Sequence, residues 1–421
     1  MKTKGAISAV VAMISVCGAA SAQPTVQLVG TGGLPQMSDD GSVVVGIASG
    51  NRDVFRWRPG MASQEIISTN IPSGTSAFQR VDVSNDGLKI AAQTWDATDS
   101  VLRPGLWTQG SGWTLIPEVG NASSGSFGHP QGISGDGTTV IGRANAGSLR
   151  RAFAWDAVNG AADLTPTFGA TNEAVAVSAD GGVVVGSTDY NVSPDGRGFV
   201  VIPGFGGVLF APDRWSKGIQ VNEAGTLALG FEEIDVFPFV DNAIYTVDRT
   251  AGTVTKLRSL LVPAGAEEIR PRDFSEDGSV AVGVLAIDFF TTTAWIQTPE
   301  RGSEPFADFL ASKGITIGAP FTSLSEVTSV SGDGKVFAGV GRVAPFGTRL
   351  FYVDTRVGCN YDFNQDENVD LTDAQLMAQV FVGLVTPEAN WLSGDLNGDE
   401  NADLTDAQVL AQFVVTGTCG L

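Results

Sequence analysis

Between residues 30 and 355 short apolar runs alternate with polar clusters, and one polar cluster keeps returning. A small polar residue, two variable positions and a glycine lead into an apolar run: "MSDDGSVVVG", "VSNDGLKIAA", "ISGDGTTVIG", "VSADGGVVVG", "VNEAGTLALG", "FSEDGSVAVG" and "VSGDGKVFAG". The register residues are Ser38, Ser84, Ser134, Ser178, Asn222, Ser275 and Ser331, with gaps of 46, 50, 44, 44, 53 and 56 residues. A repeat of that length is one supersecondary unit that buries its apolar face against the next copy. Each copy predicts four strands. The first ends at the Ser, and Asp-Gly turns the chain because Gly supplies the positive φ of a tight hairpin. The apolar run that follows suits a strand covered on both faces. A third strand carries aromatics ("DVFRW", "GLWTQ", "RAFAW", "GFVVI", "AIYTV", "TAWIQ", "LFYVD"), and a fourth follows, as in "WTLIP", "GVLFAP" and "TVTKL".

Seven such units describe a mainly β fold, a seven-bladed β-propeller of four-stranded blades. The seventh copy lacks a fourth strand, and "TVQLV" (Thr25 to Val29) precedes the first copy. That segment is expected to complete blade seven and close the ring, which removes an open sheet edge. The symmetric placing of the Ser-x-Asp-Gly phrases points to turns rather than to catalysis. Trp57, Trp107, Trp155 and Trp295 share one strand position and read as blade packing. The single histidine, His129, reads as an ordinary loop residue, so Ser-His-Asp hydrolysis has little to stand on. Glu232, Glu233 and Asp235 form the least regular acidic cluster, in what reads as a copy-specific insertion. "DYNVSPDG" (189–196) reads as a polar inter-strand loop, with calcium binding as the sharper alternative.

The N-terminus sets the expected compartment. Lys2 and Lys4 precede an apolar core, Ala6 to Val16, and Ala20-Ser21-Ala22 offers a cleavage site. Residues 1–22 therefore read as a signal peptide, with a mature chain from Gln23, secreted to the medium or the cell surface. No later stretch approaches the roughly 18 apolar residues of a membrane span. Loss of Lys2 and Lys4 takes the net charge from −21 to −23. Such an anion is repelled by phosphate backbones and anionic lipid, which argues against nucleic-acid and membrane partners. Cleavage leaves two cysteines, Cys359 and Cys419, and an oxidising compartment favours a bond between them over two free thiols. Closing that loop would stabilise the tail by roughly 4 kcal/mol on the chain-entropy account.

Those cysteines bracket a second, shorter repeat: "DFNQDENVDLTDAQLMAQVF" and "DLNGDENADLTDAQVLAQFV". Calcium takes six to eight oxygens, and a short loop supplies them from alternate residues. In the first copy the side-chain donors are Asp362, Asn364, Asp366, Asp370 and Asp373, with the carbonyl of Asn368. In the second they are Asp395, Asn397, Asp399, Asp403 and Asp406, with the carbonyl of Asn401. Two calcium ions are expected. Asp370 and Asp403 stand at N-cap positions of the segments "LTDAQLMAQVFVG" and "LTDAQVLAQFVVTG", which read as helices. Leu371, Ala374, Met377, Ala378 and Phe381 form an apolar face for packing. Short helices of this kind are marginal alone, so metal and disulfide are expected to fold the tail.

Two family resemblances follow from these residues. The long repeat resembles the HAF repeat of extracellular proteins, through "AVAVSADGGVVVGSTD" (174–189), "RRAFAWDAVNGAADL" (150–164) and residues 305–342. That family implies architecture and no particular reaction. The doubled acidic loop, from 359 to 419, resembles the type I dockerin, a small all-α calcium-binding domain. The resemblance implies docking onto a cohesin module of a scaffold protein. The partner contacts it implies fall on Leu371, Thr372, Ala378 and Gln379, and on Leu404, Thr405, Ala411 and Gln412. These depart from the family's usual hydroxyl and basic pairs, yet they are identical between the two copies. Glu367 and Glu400 stand where the loop normally turns on Gly, at a cost of about 1–2 kcal/mol for a left-handed residue.

The chain thus divides into a signal peptide (1–22), a propeller (23–356) and a dockerin-like domain (357–421). The function expected is a secreted, non-catalytic binding protein with a docking tail. The alternative is a glycoside hydrolase or polysaccharide lyase acting on a polysaccharide, since dockerin tails commonly accompany polysaccharide-degrading modules.

Overall fold

The computed structural model describes residues 25–356, except 76–79, 118–127, 147–148, 165–170, 189–195, 212, 234–239, 289–290 and 346. It also describes Gln375, Leu376, Ala378 and Gln379 as helical. Thr25–Thr355 form one of two compact units. In this unit the strands assort into seven four-stranded antiparallel sheets. Within six of them the strands follow sequence order, as in blade one: Gly33–Met37, Val44–Ile47, Val54–Trp57 and Glu65–Ile67. The first strands of all seven line a central channel. This is the expected seven-bladed propeller.

Blade seven is built from both ends of the unit. Phe321–Val330, Val336–Val343 and Gly347–Asp354 supply three strands, and Gln27–Gly30 supplies the fourth. Gln27 pairs with Tyr352 and Leu28 with Phe351. The expected closure by the "TVQLV" segment is therefore present.

The Ser-x-Asp-Gly turns are nearly superimposable in chemistry. In blade four Ser178 Oγ donates to Asp180 Oδ1 at 2.7 Å and accepts from the Val183 amide at 2.9 Å. Asp180 Oδ1 accepts in turn from the Gly182 amide at 2.9 Å. The same Ser–Asp bond recurs at Ser38, Ser84, Ser134, Ser275 and Ser331. Blade five lacks both residues and reaches the same end differently. Asn222 Oδ1 accepts from the amides of Thr226 and Leu227, each at 2.8 Å, so one side chain serves both turn amides.

The turn glycine answers two demands. Gly181 has φ 71°, a region costly to other residues. A methyl there would also lie 2.3 Å from Thr139 Oγ1 of the preceding blade. Each turn thus seats on the residue that follows the previous turn, and Gly41 seats on Val336 to close the circle.

The core lies between blades rather than within one. Val29, Met37, Phe55 and Trp57 pack with Val336 and Tyr352 across the junction of blades one and seven. Trp57 and Tyr352 stand 5.4 Å apart, and Trp57, Trp155 and Trp295 are buried, as expected for blade packing. One element departs from the strand pattern: Phe306–Ser312 form a helix between blades six and seven. Phe306, Phe309 and Leu310 repeat at helical spacing and pack on Phe337 and Phe351.

Candidate functional site

The channel wall owes its polarity to a recurring bulge. Successive strand residues ordinarily face opposite sides. The first strands of blades three to six break register between Pro130 and Gly132, Ala174 and Ala176, Gly218 and Gln220, and Pro271 and Asp273. Such a bulge re-aims side chains. Consecutive residues such as Ile219 and Gln220, or Arg272 and Asp273, accordingly both line the channel, a cavity of about 290 Å³.

At the turn end, the residue after each register position forms a ring. Its backbone is tied from blade to blade: the Asn85 amide donates to Gly135, Ala179 to Glu223, Glu276 to Gly332, and Gly332 to Asp39. Its residues are Asp39, Asn85, Gly135, Ala179, Glu223, Glu276 and Gly332, so three are acids. Asn85 Nδ2 donates across the channel to Glu223 Oε2 at 3.0 Å. Glu276 accepts from the amides of Glu223 and Ala224 at 2.7 and 2.9 Å. Burial, with the charges of Asp39, Asp82 and Glu276, lifts the Glu223 carboxyl to about 7 against the Asn85 bond that lowers it. Burial beside Glu276, Asp273, Asp40 and Asp333 lifts Asp39 to about 6.

One layer deeper, Asp82 and Asp273 each staple two blades. Asp82 accepts from its own neighbour Val83 and from Ile133 of the next blade, at 2.9 and 3.0 Å. Asp273 does the same with Phe274 and Val330, both at 2.9 Å, and also accepts from Gln220 and Ser329. Burial raises both carboxyls, Asp82 to about 7. Groups titrating near neutrality in a narrow polar channel suit a small polar ligand or proton exchange.

None of these acids stood out in the sequence as a site. The signal available was the unlike filling of the variable positions: Asp39, Asn85, Glu223 and Glu276 after the register residue, and Asp82 and Asp273 two before it. The irregular cluster that did stand out lies elsewhere. Glu232 and Glu233 end the strand Leu227–Glu233 rather than an insertion, and neither lines the channel. Glu232 is paired with Lys256 at 2.9 Å. Asp235 lies outside the described residues, as does most of "DYNVSPDG". His129 begins the strand His129–Ile133 and is buried, not a loop residue, because it pairs with Arg143 in the sheet. Among the described residues no group of three or more His, Cys, Asp or Glu is placed to hold a metal ion.

The two expected calcium loops, both cysteines, and the partner positions Leu371, Thr372, Leu404, Thr405, Ala411 and Gln412 lie outside the described residues. Ala378 and Gln379 are helical and half-buried, where the first tail helix was expected. Among the described residues no helix is long and apolar enough to cross a membrane.

No curated protein matches the chain significantly in sequence. Among solved structures, the β-propeller domain of the Trilobed protease from Pyrococcus furiosus is similar at TM-score 0.50 and 11% identity, over 78% of this chain and 96% of that one. That domain has an open velcro topology, whereas Gln27–Gly30 closes the last blade here. TolB from Acinetobacter baumannii is similar at TM-score 0.38 and 15% identity, over 62% of each chain. Likeness at these identities concerns the fold alone. In sequence, residues 360–415 match the dockerin type I domain. The chain therefore carries a seven-bladed β-propeller followed by a dockerin type I domain.

Proposed function

We propose that the protein is a secreted, non-catalytic binding protein, held by its tail to a cohesin-type scaffold while the propeller presents a binding surface. The dockerin match at 360–415 carries this reading, because it covers both acidic loops. The donor set suits calcium: carboxylate and amide oxygens at alternate positions, duplicated, with neither thiolate nor imidazole among them. Asp362, Asn364, Asp366, Asp370 and Asp373, with the Asn368 carbonyl, would hold one ion. Asp395, Asn397, Asp399, Asp403 and Asp406, with the Asn401 carbonyl, would hold the other. A Cys359–Cys419 bond would clasp the pair, and the paired sites at Leu371, Thr372, Ala378, Gln379 and at Leu404, Thr405, Ala411, Gln412 would offer the scaffold two equivalent faces. Calorimetric titration of the full chain with calcium tests it. Two bound ions are expected, one after Asp362→Ala, and silence at millimolar calcium overturns the reading.

The alternative, a glycoside hydrolase or polysaccharide lyase, draws on the raised carboxyls of Asp39 and Glu223 in the channel. Polysaccharide turnover abolished by Glu223→Gln would favour it, and its absence across substrates would dismiss it.

A further inference from the structure

The far end of the channel is built from different chemistry. There first strands begin and second strands end. Glu173, near the start of Asn172–Val177, is buried. Four cations act on it: Arg143, Arg80, Arg150 and Lys217, contributed by blades two, three and five. Arg143 Nε stands 3.9 Å from the Glu173 carboxylate, and Lys217 lies 5.9 Å from the ring centre of Trp215. Arg80 is exposed and lines the channel, as does Arg272, which Glu326 holds at 2.6 Å. In a chain of net charge −21 this concentration of cations runs against the field of the rest of the molecule. On the wall beside it, the carboxamide oxygen of Gln131 is buried without a hydrogen-bond partner among the described residues. A buried acceptor left unpaired costs about 1–3 kcal/mol, which a donor from a ligand would recover.

We propose that this mouth binds a small polyhydroxylated anion, its carboxylate or phosphate held by Arg80 with Arg143 and Lys217 behind it, and one hydroxyl donating to Gln131 Oε1. The cavity has room for a group of sugar size. Asp39, Glu223 and Glu276 stand roughly 16 Å along the strands, at about 3.3 Å per residue. They repel the anionic group and so fix which way the ligand faces. This extends the reading of the propeller as a binding surface and does not involve the tail.

The test is calorimetry of the full chain with glucuronate, glucose 6-phosphate and glucose, each in chelator so that calcium sites play no part. Binding of either anion without binding of glucose is expected, and which anion binds identifies the group. Arg80→Gln should weaken it at least about tenfold, and Arg80→Lys less, with melting curves confirming that both variants fold. Silence with both anions, equal binding of glucose, or unchanged affinity in Arg80→Gln would overturn the proposal. Because calcium is absent throughout, failure here leaves the docking reading untouched, and the converse also holds.

Discussion

Blade seven takes its outer strand from the far end of the unit, while blade five keeps its four strands in order but lacks both side chains of the turn. In blade seven the connectivity changes and the turn contacts are kept: Gly334 seats on Val280, and Ser331 bonds Asp333. In blade five the residues change and the contacts are again kept, with Asn222 serving the two amides that Ser and Asp serve elsewhere. What repeats around the ring is a set of contacts, and residue identity follows only where a single residue can make them. Glycine is one such position, because the turn needs both positive φ and the missing methyl.

The contrast can be broken at four points, of decreasing size. Deleting residues 25–30 exposes the edge of Gly347–Asp354 and removes Val29 from the core between blades. A fall in melting temperature of more than about 10 °C is expected, with concentration-dependent aggregation. Next, Gly181→Ala adds left-handed strain to the collision with Thr139. Together these should cost about 2–4 kcal/mol in denaturant unfolding. Pairing it with Thr139→Ala should return part of that loss but not the backbone share.

At the fifth turn, Asn222→Ala leaves the Thr226 and Leu227 amides without their acceptor and should cost about 1–2 kcal/mol. The double change Asn222→Ser with Ala224→Asp installs the chemistry of the other turns. It should recover most of that stability unless the bond from Asn222 to Glu276 matters in its own right.

The smallest effect concerns pH. Asp39, Asp82 and Glu223 sit at about 6, 7 and 7, above their ordinary values. The folded chain therefore binds more protons than the unfolded chain between about pH 4 and 7. Their contribution is whole below pH 4 and is lost as pH rises through 6 to 7. Asp180 opposes them: burial would raise it, but bonds from Ser178, Arg249 and Gly182 bring it to about 2, so its contribution fades only in strong acid. Melting temperature should decline from pH 5 to pH 8. Glu223→Gln should flatten that decline and gain about 2–4 °C at pH 8. An unchanged slope would mean that the channel acids titrate normally.

Much of this architecture was legible in sequence because it rests on local rules. The Asp-Gly turns, the aromatic third strands and the orphan segment at Thr25–Val29 each carry a short-range signal. The helix Phe306–Ser312 was missed because its spacing spans two turns inside a chain whose period is otherwise that of strands. The channel acids were missed for a deeper reason. Asp39, Glu223 and Glu276 are far apart in sequence, and only the ring brings them together. A repeat is found by what its copies share, whereas a site in its centre is made from what they do not.

The seating of each turn glycine on the blade before it has one more consequence. The contact that closes the ring, Gly41 on Val336, is of the same kind as the contact of Gly181 on Thr139, although only the second joins blades consecutive in the chain. The seating of the turns does not record where the polypeptide begins. Circular permutation that joins Thr355 to Thr25 by a short linker, and opens the ring between two other blades, should therefore give the same propeller.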